Sequence, residues 1–179
     1  VADTDNWAFA NIARQVKKSL DSKYDIDILY FSDFDGLFQL LLALEGYDLV
    51  HFFWRQILGG LCWGFEKQRA ELAGVADYYS LLQEKFDGTA ITTAVYDHLF
   101  LDEKSIERYQ KIFSLVDGYS VSSNILNNIY QSIESFPNPT ATLQDGVDLA
   151  HFIPINTERF VSNLDRPLVV GWAGNSAWR

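Results

Sequence analysis

The sequence contains no methionine and a single cysteine, Cys62. One cysteine excludes an internal disulfide and suits a reducing compartment. Its bland role is that of a small buried hydrophobe. Net charge is −10, and Lys17-Lys18 is the only adjacent basic pair. No basic stripe is available to neutralise phosphates, which argues against nucleic acid. Long apolar runs are missing too. The nearest approach, "FQLLLALEGYDLVHFFW", is broken by Glu45, Gly46 and Asp48, short of the roughly 18 residues a membrane span requires. No signal-peptide pattern is present. Neither G-x-x-x-x-G-K-[ST] nor G-x-G-x-x-G occurs, so neither of those glycine-rich phosphate sites is supported. His51, His98 and His151 have no short metal-ligand spacing, and "GNSAW" lacks the flanking glycine of a nucleophile elbow.

What remains is a globular composition. Of 179 residues, 48% are apolar and 15% aromatic, enough for one domain with a sizeable core. Short β runs alternate with helical periods. Strands are expected at "DIDILYFS" (25–32), "DLVHFFWR" (48–55), "AITTAVY" (90–96), "GYSVSS" (118–123), "TATLQDGVD" (140–148) and "PLVVGWAG" (167–174). Val1-Ala2 reads as the tail of a first strand. With the absent methionine, this gives the expectation that the chain is an excised piece of a longer protein.

Phe9, Ile12, Ala13, Val16 and Leu20 form one stripe of a helix over about 7–20. Ile106, Tyr109, Ile112, Phe113 and Val116 form a second, with Asp102 as its N-cap. Ser122 or Ser123 caps a third, carrying Ile125, Leu126, Ile129, Tyr130 and Ile133. The expected fold is α/β: a Rossmann-like open, mainly parallel sheet with helices on both faces and right-handed crossovers.

Ligands of such sheets bind outside the carboxyl ends of the strands. The residues that follow each expected strand are Asp3 to Trp7, Ser32-Asp33, Trp54-Arg55, Tyr96-Asp97-His98, Ser122 to Asn124 and Asp145-Gly146. Aromatics beside carboxylates, amides and an arginine suit a sugar ring, because aromatic faces stack on C–H surfaces while polar groups hold hydroxyls. Asp97 is a candidate general base or a support for His98, and His98 a candidate sugar or phosphate contact. Each is weighed against a turn-forming role. Arg55 is a candidate partner for an acceptor phosphate, against a surface salt bridge. Asp145-Gly146 is expected to shape a turn, with Gly146 in a backbone conformation that other residues resist.

"YDLVHFFWR", "TAVYDHLF", "VDGYSVSSNILNNIY", "LQDGVDLAHFIP" and "LVVGWAGNSAWR" follow one another at sensible spacing. Together they resemble the N-terminal half of a GT-B-fold glycosyltransferase of the type that builds bacterial surface glycans from nucleotide sugars. The "DGVDLAHFIP" segment resembles the stretch preceding the interdomain linker, and "GWAGNSAWR" the phosphate-side loop of the nucleotide-binding domain.

The resemblance implies an N-terminal acceptor-side domain over 1–154, then a linker and the start of a truncated donor domain over 155–179. It implies Asp97 and His98 as catalytic candidates. Asn6, Trp7, Trp54, Arg55, Tyr96, Asp145, Gly174 and Asn175 are the substrate-binding candidates. It also implies a nucleotide sugar as substrate, a glycan or lipid-linked acceptor, no metal or other cofactor, and a cytoplasmic location, peripheral at the membrane's inner face in some settings. The C-terminal domain of the same polypeptide is the expected partner. The Glu-x7-Glu motif of the retaining branch is absent, so little transfer is expected from this chain alone. "DTDNWAFANIA" also departs from the glycine-rich first loop of relatives, leaving Asn6 and Trp7 equally readable as a capped helix start. The alternative is a non-catalytic carbohydrate-binding or structural α/β domain.

Overall fold

The computed structural model describes residues 1–68, 78–99, 101–146 and 153, and side chains throughout these except at 63–68 and 78–80. The first compact unit of the chain runs Val1–Asp145. The expected boundary at 154, the strand at 167–174, and Gly174 and Asn175 lie outside the described residues.

The described elements alternate as expected for an α/β fold. Helix α1 spans Ala8–Leu20, a single 3-10 turn Phe31–Asp33, and α2 Leu37–Ala43. Strand β1 (Leu49–Phe52) is followed by α3 (Arg55–Gln68) and α4 (Tyr78–Lys85). Then come β2 (Ala90–Val95), α5 (Glu103–Phe113), β3 (Gly118–Val121), α6 (Asn124–Gln131) and β4 (Ala141–Thr142). The four strands lie in the order β1-β2-β3-β4, and every neighbouring pair is parallel. Rossmann-like architecture is therefore present.

Backbone hydrogen bonds carry the sheet beyond β1. The Val1 amine donates to the His51 carbonyl and Phe53 N donates to the Val1 carbonyl, which pairs Val1 with Phe52 in parallel. On its other side Ala2 bridges Tyr30, also in parallel. The first segment thus sits between Leu29–Phe31 and β1. The chain steps one way from Val1–Asp3 to Leu29–Phe31, then crosses back to β1 and continues the other way. The reversal point lies between the ends of Val1–Asp3 and β1, where open parallel sheets leave a crevice.

The expected strand at 25–32 contracts to the Tyr30 bridge. Asp25 and Asp27 are exposed, and this edge segment has little apolar surface to bury. The strand expected at 48–55 ends at Phe52, and α3 begins at Arg55. The strand expected at 140–148 is reduced to Ala141–Thr142.

Alternate residues of the strands face one core. Val50 and Phe52, Ile91 and Val95, and Tyr119 and Val121 pack with Leu40, Leu58, Leu61, Ile112 and Tyr130 of α2, α3, α5 and α6. Each such fully buried side chain contributes about 1.5–3 kcal/mol of apolar transfer before ordering costs. Thr93, fully buried among them, donates its hydroxyl to the Phe52 carbonyl at 2.9 Å, so its polar atom is satisfied. Tyr96 has the opposite parity and meets Phe9 of α1, with ring centroids 5.0 Å apart. Helix α1 therefore covers the other face, as the reversed crossover direction requires.

Two helix starts are built as the sequence pattern predicts. The Asp102 carboxylate accepts from Ser105 N at 3.2 Å, and the Ser123 hydroxyl accepts from Leu126 N at 3.2 Å. Helices α5 and α6 end at Phe113 and Gln131, short of Val116 and Ile133. Gly46 and Gly88 hold positive φ (87° and 79°) in the turns that lead into β1 and β2. Gly146 does not adopt positive φ, contrary to expectation; that turn needs no glycine-specific angle.

Candidate functional site at the carboxyl edge of the sheet

Arg55 opens α3 directly after β1, and its guanidinium folds inward. Only 1% of the side chain is exposed. Nη2 donates to the Asp97 carboxylate at 2.7 Å and to the Leu99 carbonyl at 3.1 Å, while Nη1 donates to the Asp97 carbonyl at 3.3 Å. The guanidinium carbon lies 4.9 Å from the Tyr109 ring centroid and 6.0 Å from that of Tyr130, within cation–π range. Burial works against the arginine's charge, but Tyr130, Asp97 and Tyr109 outweigh it and push its pKa above the ordinary value. The role of Arg55 in this structure is to clamp the loop after β2. Its Nε has no hydrogen-bond partner among the described residues.

Asp97 closes the other half of the clamp. Its Oδ1 accepts from Arg55 and, at 3.0 Å, from Leu99 N, which curls the chain after Val95 into a tight turn. The Tyr130 hydroxyl donates to the Asp97 carbonyl at 3.2 Å. Burial, more than any neighbour, raises the Tyr130 phenol to about 12. Asp97 thus faces α3, α5 and α6, whereas the next residue, His98, is exposed. Of the adjacent pair, the imidazole is the group open to solvent.

On the α1 side, three aromatic rings draw together the loops at the reversal point. Phe9, in the first turn of α1, stacks on Trp54 at 6.4 Å between centroids and tilts against Tyr96. All three are partly exposed. Burial, and then the charge of Asp145, raises the Tyr96 phenol to about 12, so it stays a neutral donor at physiological pH. Asp3, at the end of the first segment, is nearly buried and accepts from Thr4 N at 2.9 Å. Asp5 pairs with Arg14 at 2.9 Å. Asn6 and Trp7 are exposed, and Trp7 occupies the N-cap position of α1 without a side-chain cap bond.

The structure therefore brings Trp54 and Tyr96 together around Phe9, leaves Asn6, Trp7, His98 and Asp145 exposed, and turns the buried Arg55 inward to pair with the partly exposed Asp97. Phe9 joins the site although its sequence pattern marks it only as part of a core stripe. Its place in the first helical turn after a strand is the signal that could have singled it out.

Other polar groups have structural explanations. His51 lies mid-strand, with Nδ1 2.9 Å from the Thr92 hydroxyl and its ring edge-on to Phe53. Burial, and then the Val1 ammonium, lowers its pKa to about 4. Burial raises the Cys62 thiol to about 12, which leaves it unreactive. Two open hollows of about 450 Å³ each lie at the opposite, amino edge, lined by Glu45, Asp48 and Glu84 in one and by Asp87 and Asp117 in the other. Parallel sheets do not carry their ligand chemistry at that edge. No group of three or more His, Cys, Asp or Glu among the described residues is placed to hold a metal ion. No described helix is long and apolar enough to cross a membrane.

Comparison of the chain with protein-family models, curated proteins and solved structures finds no significant match.

Proposed function

We propose that the chain is the acceptor-side domain of a GT-B-fold glycosyltransferase, which transfers a hexose-type sugar from a nucleotide sugar to a glycan or lipid-linked acceptor. The observation that carries this reading is the gathering of Phe9, Trp54 and Tyr96 at the reversal point of a parallel sheet. The resemblance of five ordered sequence segments adds to it. His98 is the group assigned to contact substrate, through a sugar hydroxyl or phosphate. Asp97 acts through the loop it shares with Arg55 and holds His98 in place. A nucleotide-sugar-binding domain further along the polypeptide supplies the donor, and Gly174-Asn175 belong to its phosphate-side loop. The reaction is assigned to bacterial surface-polysaccharide synthesis in the cytoplasm, with no metal required.

A second reading, a sugar-binding domain without chemistry, is favoured by one fact: Asp97, the best-placed carboxylate beside His98, is already paired with a buried arginine. A transfer assay decides between them. The polypeptide with its donor domain, given a panel of nucleotide sugars and glycan acceptors, is expected to transfer sugar. His98→Ala is expected to slow transfer by about 10²–10⁴-fold, the range for loss of an acid–base or polarising group. Transfer unchanged in His98→Ala removes the assignment of His98, and no transfer with any donor favours the binding domain.

A further inference from the structure

We infer that Tyr130 of α6 is a positioning residue for His98: with Arg55 it fixes the main chain on both sides of the imidazole, so that one exposed ring is presented on a rigid turn. This rests on the reading that His98 contacts substrate, and it extends the machinery from the loop to α3 and α6. The juxtaposition that carries it is a free side chain on a held backbone. Before His98, the Asp97 carbonyl accepts from the Tyr130 hydroxyl at 3.2 Å and from Arg55 Nη1 at 3.3 Å. After it, the Leu99 carbonyl accepts from Arg55 Nη2 at 3.1 Å, and Leu99 N donates to the Asp97 carboxylate at 3.0 Å. His98 itself is exposed, and its side chain has no hydrogen bond, ion pair or ring contact with any described residue.

Stability alone does not account for this arrangement. Replacing a buried ion pair with apolar groups of similar volume is often neutral or stabilising, so such a pair is weak evidence of a stabilising role. Here a guanidinium that is 1% exposed and a wholly buried tyrosine direct their donors at the turn over 97–99, whose central side chain faces solvent. The donors are themselves held. The Arg55 guanidinium lies 6.0 Å from the Tyr130 ring centroid, and that ring packs among Phe113, Tyr119 and Phe136 at 6.1, 6.1 and 6.0 Å between centroids. Groups locked by packing in this way keep a reacting side chain within about 0.5 Å of its working geometry.

Tyr119 supplies the control. Its ring belongs to the same aromatic cluster, but its hydroxyl donates to the Pro137 carbonyl at 2.7 Å, away from the turn. Tyr119→Phe and Tyr130→Phe therefore each remove one hydroxyl bond and keep the ring, and only the second loosens the chain beside His98.

The test is backbone ¹⁵N relaxation of the intact chain, with transfer kinetics of the polypeptide carrying its donor domain. In the wild type the His98 and Leu99 amides are expected to have order parameters of about 0.85, the value for rigid backbone. Tyr130→Phe is expected to lower them toward the flexible range of about 0.6. Tyr119→Phe is expected to leave them unchanged. In transfer, Tyr130→Phe should lower kcat about tenfold with KM unchanged, as slight misplacement of a reacting group does. In the His98→Ala background the same change should bring no further loss, because Tyr130 acts only through the imidazole.

Order parameters unchanged in Tyr130→Phe, or lowered equally by Tyr119→Phe, overturn the inference. So does a loss of transfer that persists in full in the His98→Ala background. The transferase reading fails separately. Loosening at 98–99 confined to Tyr130→Phe, with no transfer from any donor, sinks that reading alone. Transfer that requires His98 but is unaffected by Tyr130→Phe sinks the positioning role alone.

Discussion

Removing the Asp97 carboxylate should cost more stability than removing the Arg55 guanidinium, although the two form one ion pair. The asymmetry follows from exposure: the Arg55 side chain is 1% exposed and that of Asp97 31%. Asp97→Ala leaves a cation in the core, held by the carbonyls of Asp97 and Leu99 and the faces of Tyr109 and Tyr130. An unpaired buried charge of this kind costs about 3–5 kcal/mol. Arg55→Met keeps much of the volume and frees a carboxylate that water can reach, so its cost should be about 1–2 kcal/mol, mainly from the lost loop contacts. Against a total stability of roughly 5–15 kcal/mol for a domain, Asp97→Ala alone approaches unfolding. Urea denaturation of the wild type, both single variants and the double variant measures all four corners of the cycle. The double variant should be no less stable than Asp97→Ala, and the coupling should exceed about 1 kcal/mol. If Asp97→Ala lies within 1 kcal/mol of wild type, or Arg55→Met proves the costlier change, the buried clamp is not what orders the loop after β2.

The low pKa of His51 makes stability pH-dependent. Its folded value, about 4, lies below the ordinary 6.5, so between these limits the unfolded chain binds a proton that the folded chain refuses. The contribution is complete above pH 6.5 and is lost as pH falls toward 4, by about 1–2 kcal/mol for a partly exposed ring. His51→Gln should flatten that part of the stability-versus-pH curve, and an unchanged slope would refute the assignment. At the β3–β4 junction, a Cβ on Gly118 would lie 2.6 Å from the Thr140 hydroxyl oxygen. Gly118→Ala should destabilise by about 1–3 kcal/mol, and adding Thr140→Ala should recover most of it in thermal melts. Ser123→Ala removes the cap bond to Leu126 N and should cost about 0.5–2 kcal/mol, read by chemical denaturation.

The legible parts of the fold were those fixed locally. The apolar runs at 49–52, 90–95 and 118–121 and the caps at Asp102 and Ser123 could be read because strand alternation and capping involve residues a few positions apart. Helix α2 was obscured because "LFQLLLA" is apolar nearly all round, and α3 because Gly59-Gly60 interrupts its pattern. The site was legible as a set of loops but not in the orientation of its charges. Arg55 follows a strand and resembles an anion ligand. Its burial is decided by Tyr109 on α5 and Tyr130 on α6, which no local window around β1 contains. The same tertiary contact separates Asp97 from His98, adjacent in sequence yet facing the core and the solvent respectively.

Ligand chemistry is assigned to the carboxyl edge of the sheet. Amide hydrogen exchange of the intact chain, with and without a saturating neutral sugar, tests this assignment most directly. Added protection is predicted at 3–9, 54–55 and 96–99, with no change at 45–48 and 84–89, which line the two hollows at the amino edge. Protection confined to that amino edge would contradict the assignment.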